Sequence, residues 1–158
     1  YKIKDNFIAF WFQFIYPNRT FLEMGQEEVV LEKIKANFID NNVSFVYEEV
    51  CKEMMWNLNA TGKIGLTFNK LGRWWNGTQE IDIVGINESG NEIVFGECKY
   101  YRTGKLMDEK VFYDLLEKSK LVDWNNNNRK EKYVLFSVSG YSESLKKLAE
   151  TREDLILG

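Results

Sequence analysis

Three residues on two short apolar runs carry the strongest chemical signal in the chain. Asp82 lies within Glu80-Ile81-Asp82-Ile83-Val84-Gly85-Ile86-Asn87, and Glu97 and Lys99 close the run Glu92-Ile93-Val94-Phe95-Gly96-Glu97-Cys98-Lys99. Between the runs, Glu88-Ser89-Gly90-Asn91 reads as a hairpin turn joining two strands. Side chains alternate across a strand, so Ile93, Phe95, Glu97 and Lys99 are expected to share one face, as are Asp82, Val84 and Ile86. Burying an isolated charge is costly unless it is paired or binds a metal. Asp82 and Glu97 are separated by 14 residues across the hairpin, so both can meet at one end of the paired strands. Two carboxylates with a backbone carbonyl form a hard oxygen-donor set suited to Mg²⁺ or Mn²⁺ rather than zinc. Such an ion polarises a phosphoryl oxygen and lowers the pKa of bound water, and a neighbouring Lys99 can position that water or stabilise developing charge. The same residues equally fit a salt bridge between Lys99 and either carboxylate, and spacing alone does not separate the two readings.

Composition narrows the chemistry further. The chain has no His, which removes Ser-His and Cys-His nucleophiles, ordinary zinc catalysis and His general bases. With 158 residues, 44% of them hydrophobic and 15% aromatic, it has material for one domain with a substantial core. A net charge of −3 is neither polybasic nor strongly acidic. Cys51 and Cys98 both lie in apolar surroundings and fit reduced thiols in a cytoplasmic protein better than a disulfide framework. No run approaches the roughly 20 apolar residues of a membrane-spanning helix. The chain opens Tyr1-Lys2-Ile3-Lys4 without Met or a signal peptide, from which a fragment of something longer is expected.

The elements that must position the triad are predicted as follows. Asp5 caps a very apolar helix that Pro17 stops, and Phe21–Asp40 forms a second helix. A third spans Val43–Leu58 with Tyr47, Val50, Cys51, Met54 and Leu58 as its stripe; Glu48 lies beside the stripe, where helix-dipole compensation explains it by default. Alternation at Ile64, Leu66 and Phe68 predicts a strand, and Leu71 to Gly77 a loop carrying Trp74 and Trp75. After the hairpin come a basic loop (Tyr100 to Lys105), a helix over Asp108–Trp124, a strand over Tyr133–Val138 and a helix over Ser142–Thr151. This order predicts an α/β sandwich with a mixed sheet: residues 1–42 as a helical extension packed on a core of residues 43–158, in one compact domain.

Asp82 followed by Glu97-Cys98-Lys99 resembles the Asp…Glu-x-Lys signature of the PD-(D/E)XK, or restriction-endonuclease-like, nuclease superfamily. The superfamily core, a helix, a three-stranded β-meander, a helix and a strand, matches Val43 to Val138 in order. Its frequent extra acid on the first helix falls at Glu48; Ile81 stands where the Pro of the superfamily's name would precede Asp82. Over nearly the whole chain, Asp5-Asn6-Phe7-Ile8-Ala9-Phe10-Trp11-Phe12, Gly72-Arg73-Trp74-Trp75, Glu80-Ile81-Asp82-Ile83-Val84 and Phe95-Gly96-Glu97-Cys98-Lys99 are similar to domain of unknown function 234, the C-terminal domain of archaeal-type P-loop ATPases. The resemblance implies a DNA-cleaving, Mg²⁺- or Mn²⁺-dependent module attached to an ATPase and a winged-helix segment, although no phosphate-binding loop occurs in these 158 residues. It implies Asp82, Glu97, the Cys98 carbonyl and Glu48 as metal ligands, with Lys99 assisting attack. Arg73, Arg102 and Lys105 are candidate phosphate contacts, or solvated loop charges. Trp74 and Trp75 are candidates for base stacking, or cover for the meander. Two alternatives remain beside the nuclease: a non-catalytic nucleic-acid-binding or regulatory module of the ATPase, and a scaffold or homo-oligomerisation domain using the apolar first helix.

Overall fold

The computed structural model of the chain describes residues 3, 5–38, 43–101 and 104–158. The chain divides into two compact units, Tyr1–Val46 and Tyr47–Gly158. In the first, α1 (Asn6–Phe10) starts where Asp5 accepts a 2.9 Å hydrogen bond from the Ile8 N–H, as its capping role predicts. Pro17 does not end the helical path. The chain passes through a π-helical turn at Trp11–Ile15 and a 3₁₀ turn at Tyr16–Asn18 into α2 (Arg19–Glu23). The single helix expected over Phe21–Asp40 is instead two, because Gly25 adopts φ 69° and the Gln26 N–H donates back to Phe21 O at 2.8 Å, a left-handed helix stop. Then α3 (Glu27–Phe38) follows, and Phe10, Phe14 and Phe38 meet with ring centroids 5.3 to 6.4 Å apart.

The second unit is built on a five-stranded sheet in the order β1-β2-β3-β4-β5. Strands β1 (Lys70–Trp75), β2 (Glu80–Asn87) and β3 (Glu92–Lys99) form an antiparallel meander; β4 (Lys130–Ser137) and β5 (Leu155–Leu157) continue it in parallel. Helix α4 (Ser44–Ala60) brings Cys51 and Met55 against Ile83, Val94, Cys98, Val134 and Phe136. Helices α5 (Glu109–Ser119) and α6 (Glu143–Thr151) bring Phe112, Leu115 and Leu145 against Ile81, Ile93, Phe95, Tyr133 and Leu135. Successive residues of β3 and β4 thus alternate between two cores, one on each face of the sheet. The result is a mixed α/β fold whose core runs in the expected order: helix, three-stranded meander, helix, strand.

The meander's first strand is not where alternation placed it. Ile64, Leu66 and Phe68 are all buried, but this stretch is not a strand; Gly65 sits at φ 73° and the Asn59 amide serves both the N–H and the C=O of Phe68 at 3.1 and 3.0 Å. The segment expected to be a Trp-bearing loop forms β1 instead. As an edge strand with one neighbour it needs no continuous apolar pattern, which hid it. Helix α5 also stops five residues short of Trp124, at Ser119.

Candidate active site

A β-bulge shapes the site. Gly72 lies opposite Val84 and Trp74 opposite Ile81, so Asp82 and Ile83 together face the single residue Arg73. Such a bulge re-aims side chains and interrupts alternation. Accordingly Ile81 and Val84 pack on the α5 side of the sheet while Ile83 packs on the α4 side. The expectation that Asp82 simply shares a face with Val84 and Ile86 is therefore corrected: the extra residue in β2 breaks the period between them. On β3 the alternation holds, and Glu97 follows Ile93 and Phe95 toward α5.

Asp82 is buried, with 8% of its surface exposed. The β2–β3 ladder pairs Asn87 with Glu92 through to Ile83 with Gly96. Next to its end, Asp82 Oδ2 accepts a 2.9 Å hydrogen bond from the Cys98 N–H. An Arg73 Nη atom lies 3.8 Å from Asp82 Oδ1 and donates to both oxygens of Glu48, at 3.2 and 3.0 Å. One guanidinium thus links Glu48 on α4 to Asp82 on β2. Burial, and then the charge of Glu97, push the Asp82 carboxyl above its ordinary range, against the pull of the Cys98 N–H, Lys99 and Arg73. The Cys98 thiol is driven up by its hydrogen bond with Cys51 and by burial, so what Cys98 offers the site is its backbone.

Glu97, 4% exposed, is held by two ammonium groups. Lys99 Nζ donates to Oε1 at 2.7 Å; Lys118 Nζ, from α5, donates to Oε1 at 3.1 Å and Oε2 at 3.3 Å. Burial works against the Lys99 cation, but Glu97 and Asp82 outweigh it and hold its pKa above the usual lysine value. Lys99 is therefore charged throughout the neutral range. A cleft of about 570 Å³ opens here, lined by Gln79, Glu97, Lys99, Val111, Asp114 and Lys118 among others; Asp82, Glu48 and Arg73 do not line it.

Lys118 was not legible in the sequence, because a basic residue in the last turn of an amphipathic helix is explained by the helix dipole. Arg73, expected on a loop, sits on β1 and is engaged by acids rather than solvated. Trp74 is half-buried against the α5-side core, as cover for the meander requires, whereas Trp75 is 69% exposed. Lys105 Nζ lies 5.5 Å from the Tyr101 ring centroid. Arg102 lies outside the described residues.

The candidate residues thus form two charge groups, Glu48–Arg73–Asp82 and Lys99–Glu97–Lys118, joined through Cys98. No group of three or more His, Cys, Asp or Glu able to hold a metal occurs among the described residues. As donor chemistry, Asp82, Glu97 and the Cys98 carbonyl suit a hard divalent cation. The ammonium groups on Glu97 occupy the oxygens such a cation would use.

Residues 11–111 match the family described as archaea bacterial proteins of unknown function, domain of unknown function 234. The chain belongs to that family. It is 40% identical over 122 residues to an uncharacterized protein, MJECL04, of Methanocaldococcus jannaschii; the match covers 77% of this chain and 27% of that protein, so the chain spans about a quarter of its relative's length. Among solved structures, a protein of unknown function, AF1548, is similar at TM-score 0.44 and 18% identity, over 73% of this chain and 57% of that one. A repair endonuclease from Pyrococcus abyssi is similar at TM-score 0.32 and 20% identity, over 67% and 44%. EndoMS in a complex with double-stranded DNA is similar at TM-score 0.32 and 17% identity, over 67% and 42%. These are loose resemblances of chain path. No helix among the described residues is long and apolar enough to cross a membrane.

Proposed function

We propose that the second unit is a metal-dependent phosphodiester hydrolase acting on DNA, working as a module of a longer ATPase chain that also carries a winged-helix segment. The observation that carries this reading is the convergence on Cys98: its N–H holds the buried Asp82, while its neighbours Glu97 and Lys99 open into a cleft. A carboxylate kept dry and above its ordinary pKa lacks sufficient neutralising charge, which is the condition that favours a cation. Bound there, Mg²⁺ or Mn²⁺ would supply Lewis-acid activation of a phosphoryl oxygen and of water. Asp82, Glu97 and the Cys98 carbonyl would hold it, and Glu48 would orient water or ligate once Arg73 lets go. Lys99, cationic and at the cleft wall, stabilises the charge that develops on the phosphoryl oxygens. Trp75 and Lys105 are the exposed candidates for contacts along the nucleic acid.

A second reading, a nucleic-acid-binding or regulatory module without catalysis, is favoured by one observation. Glu48 and Glu97 are already engaged by cationic side chains at 3.3 Å or less, as a purely structural ion-pair network would be. The test is cleavage of labelled single-stranded, duplex and flapped DNA with Mg²⁺, against the same reactions with chelator and with Asp82→Asn. The hydrolase reading expects products only in wild type with metal. Binding without products on every substrate, or products that survive Asp82→Asn, would overturn it.

A further inference from the structure

Lys118 is the residue of this site that the triad does not explain. It comes from α5 rather than the hairpin, bridges both oxygens of Glu97, and lines the cleft beside Asp114, one helical turn before it. Its side chain is 20% exposed, against 5% for Glu97, and both residues line the cleft. A cation entering from the cleft meets an oxygen pair already in use. Glu97 Oε1 accepts from two lysines, and Oε2 accepts from Lys118. Exchanging an ammonium for a metal at a buried carboxylate leaves that ammonium without a partner, and an unpaired, partly desolvated cation is costly. A phosphate anion in the cleft removes that cost by giving Lys118 a new partner.

We propose that Lys118 is a positioning residue that makes divalent-cation binding at Glu97 conditional on a phosphate group of the nucleic acid in the same cleft. The inference rests on the metal-dependent reading of the site. In the absence of nucleic acid, Lys118 holds Glu97 in place and out of use. When a phosphodiester enters, the ammonium turns to it, and Glu97 becomes available as a ligand. The cation and the phosphate then favour each other's binding, and by linkage the coupling is the same in both directions.

The test is Mn²⁺ binding, followed by electron paramagnetic resonance of the free ion, at low salt. Three states are compared: protein alone, protein with a phosphorothioate DNA duplex, which keeps the charge and resists cleavage, and protein with an uncharged methylphosphonate duplex. Asp82→Asn measured in parallel subtracts cations held by the DNA itself. In wild type the phosphorothioate duplex should tighten Mn²⁺ binding roughly tenfold or more, the ordinary size of coupling between two sites, and the methylphosphonate duplex should not. Lys118→Met should bind Mn²⁺ alone about as tightly as wild type does with the charged duplex, and gain little from it. Lys118→Arg, which keeps the cation, should restore the dependence. Melting temperatures of each variant separate these shifts from loss of fold, and a merely structural Lys118 would move stability without moving the coupling. Wild type that binds Mn²⁺ equally with and without duplex would overturn the inference, as would Lys118→Met that keeps the coupling; in both cases the metal site itself would stand. No Asp82-dependent Mn²⁺ binding by any form under any condition would overturn the metal reading and this inference together.

Discussion

Asp82 and Glu97 are both buried acids on neighbouring strands, yet they are held by different means. Glu97 sits on the unbroken strand β3 and is gripped by two ammoniums within 3.3 Å. Asp82 sits in the bulge of β2, where it has one backbone N–H at 2.9 Å and a guanidinium only at 3.8 Å. One carboxylate is fully paired; the other is dry and short of positive charge. Under the proposed function, the paired acid serves the fold as well as the site, while the other is where a cation is most needed. Glu97 ties β3 to α5, whereas Asp82 is held at a cost to stability, the pattern expected where a site rather than the fold requires the charge.

The comparison breaks most visibly at Glu97. Glu97→Ala strands Lys99 and Lys118 together and should lower unfolding free energy by about 3 kcal/mol, the lower end for breaking a buried ion pair because both lysines retain some solvent. Chemical denaturation reads it directly; a loss below about 1 kcal/mol, the size of a surface pair, would mean Glu97 does not anchor the two elements.

A smaller effect is expected at Lys99, and in rate rather than stability. With Lys118 still on Glu97, Lys99→Ala should leave the melting temperature nearly unchanged and cut single-turnover cleavage by roughly 10², the effect of losing one transition-state-stabilising group. Destabilisation with undiminished cleavage per folded molecule would reassign Lys99 to the structural network.

Asp82 should behave in the opposite sense to Glu97. Its folded pKa is raised, by burial first and Glu97 second, so its contribution to stability is fully present below the unfolded carboxylate value of about 3.9 and is lost as pH rises through the folded value. At neutral pH the ionised acid is therefore a net cost. Metal-free Asp82→Asn, whose amide oxygen can still accept from the Cys98 N–H, should melt slightly above wild type at pH 7, with the gap closing as pH falls into the carboxylate range. A mutant that is less stable at neutral pH and gains nothing there would show that Arg73 neutralises Asp82 after all.

The same contrast explains what could be read from the sequence. Where a ladder is unbroken, period-two alternation carried the argument: the hairpin, its turn at Glu88–Asn91, and Glu97 with Lys99 on the face of Ile93 and Phe95 all follow from it. Most of the order of helices and strands followed from apolar stripes and the cap at Asp5. What alternation could not reveal is a break in itself. The bulge at Asp82–Ile83 is a property of pairing with β1, and β1 is an edge strand without a clean pattern of its own. Ile64, Leu66 and Phe68 alternate because they cover the α4-side core, not because they pair. Long-range partners were equally hidden: Arg73 to Glu48, and Lys118 to Glu97, join residues 25 and 21 positions apart that no local pattern links.

The central claim is that Asp82 belongs to a cation site. Calorimetric titration of Mn²⁺ into the protein with an uncleaved DNA duplex present, for wild type and Asp82→Asn side by side, tests it most directly. The account predicts a binding event in wild type, beyond that of the duplex alone, which is absent in Asp82→Asn. Equal heats and affinities for the two proteins would contradict it, leaving Asp82 as a buried acid held by the Cys98 N–H and nothing more.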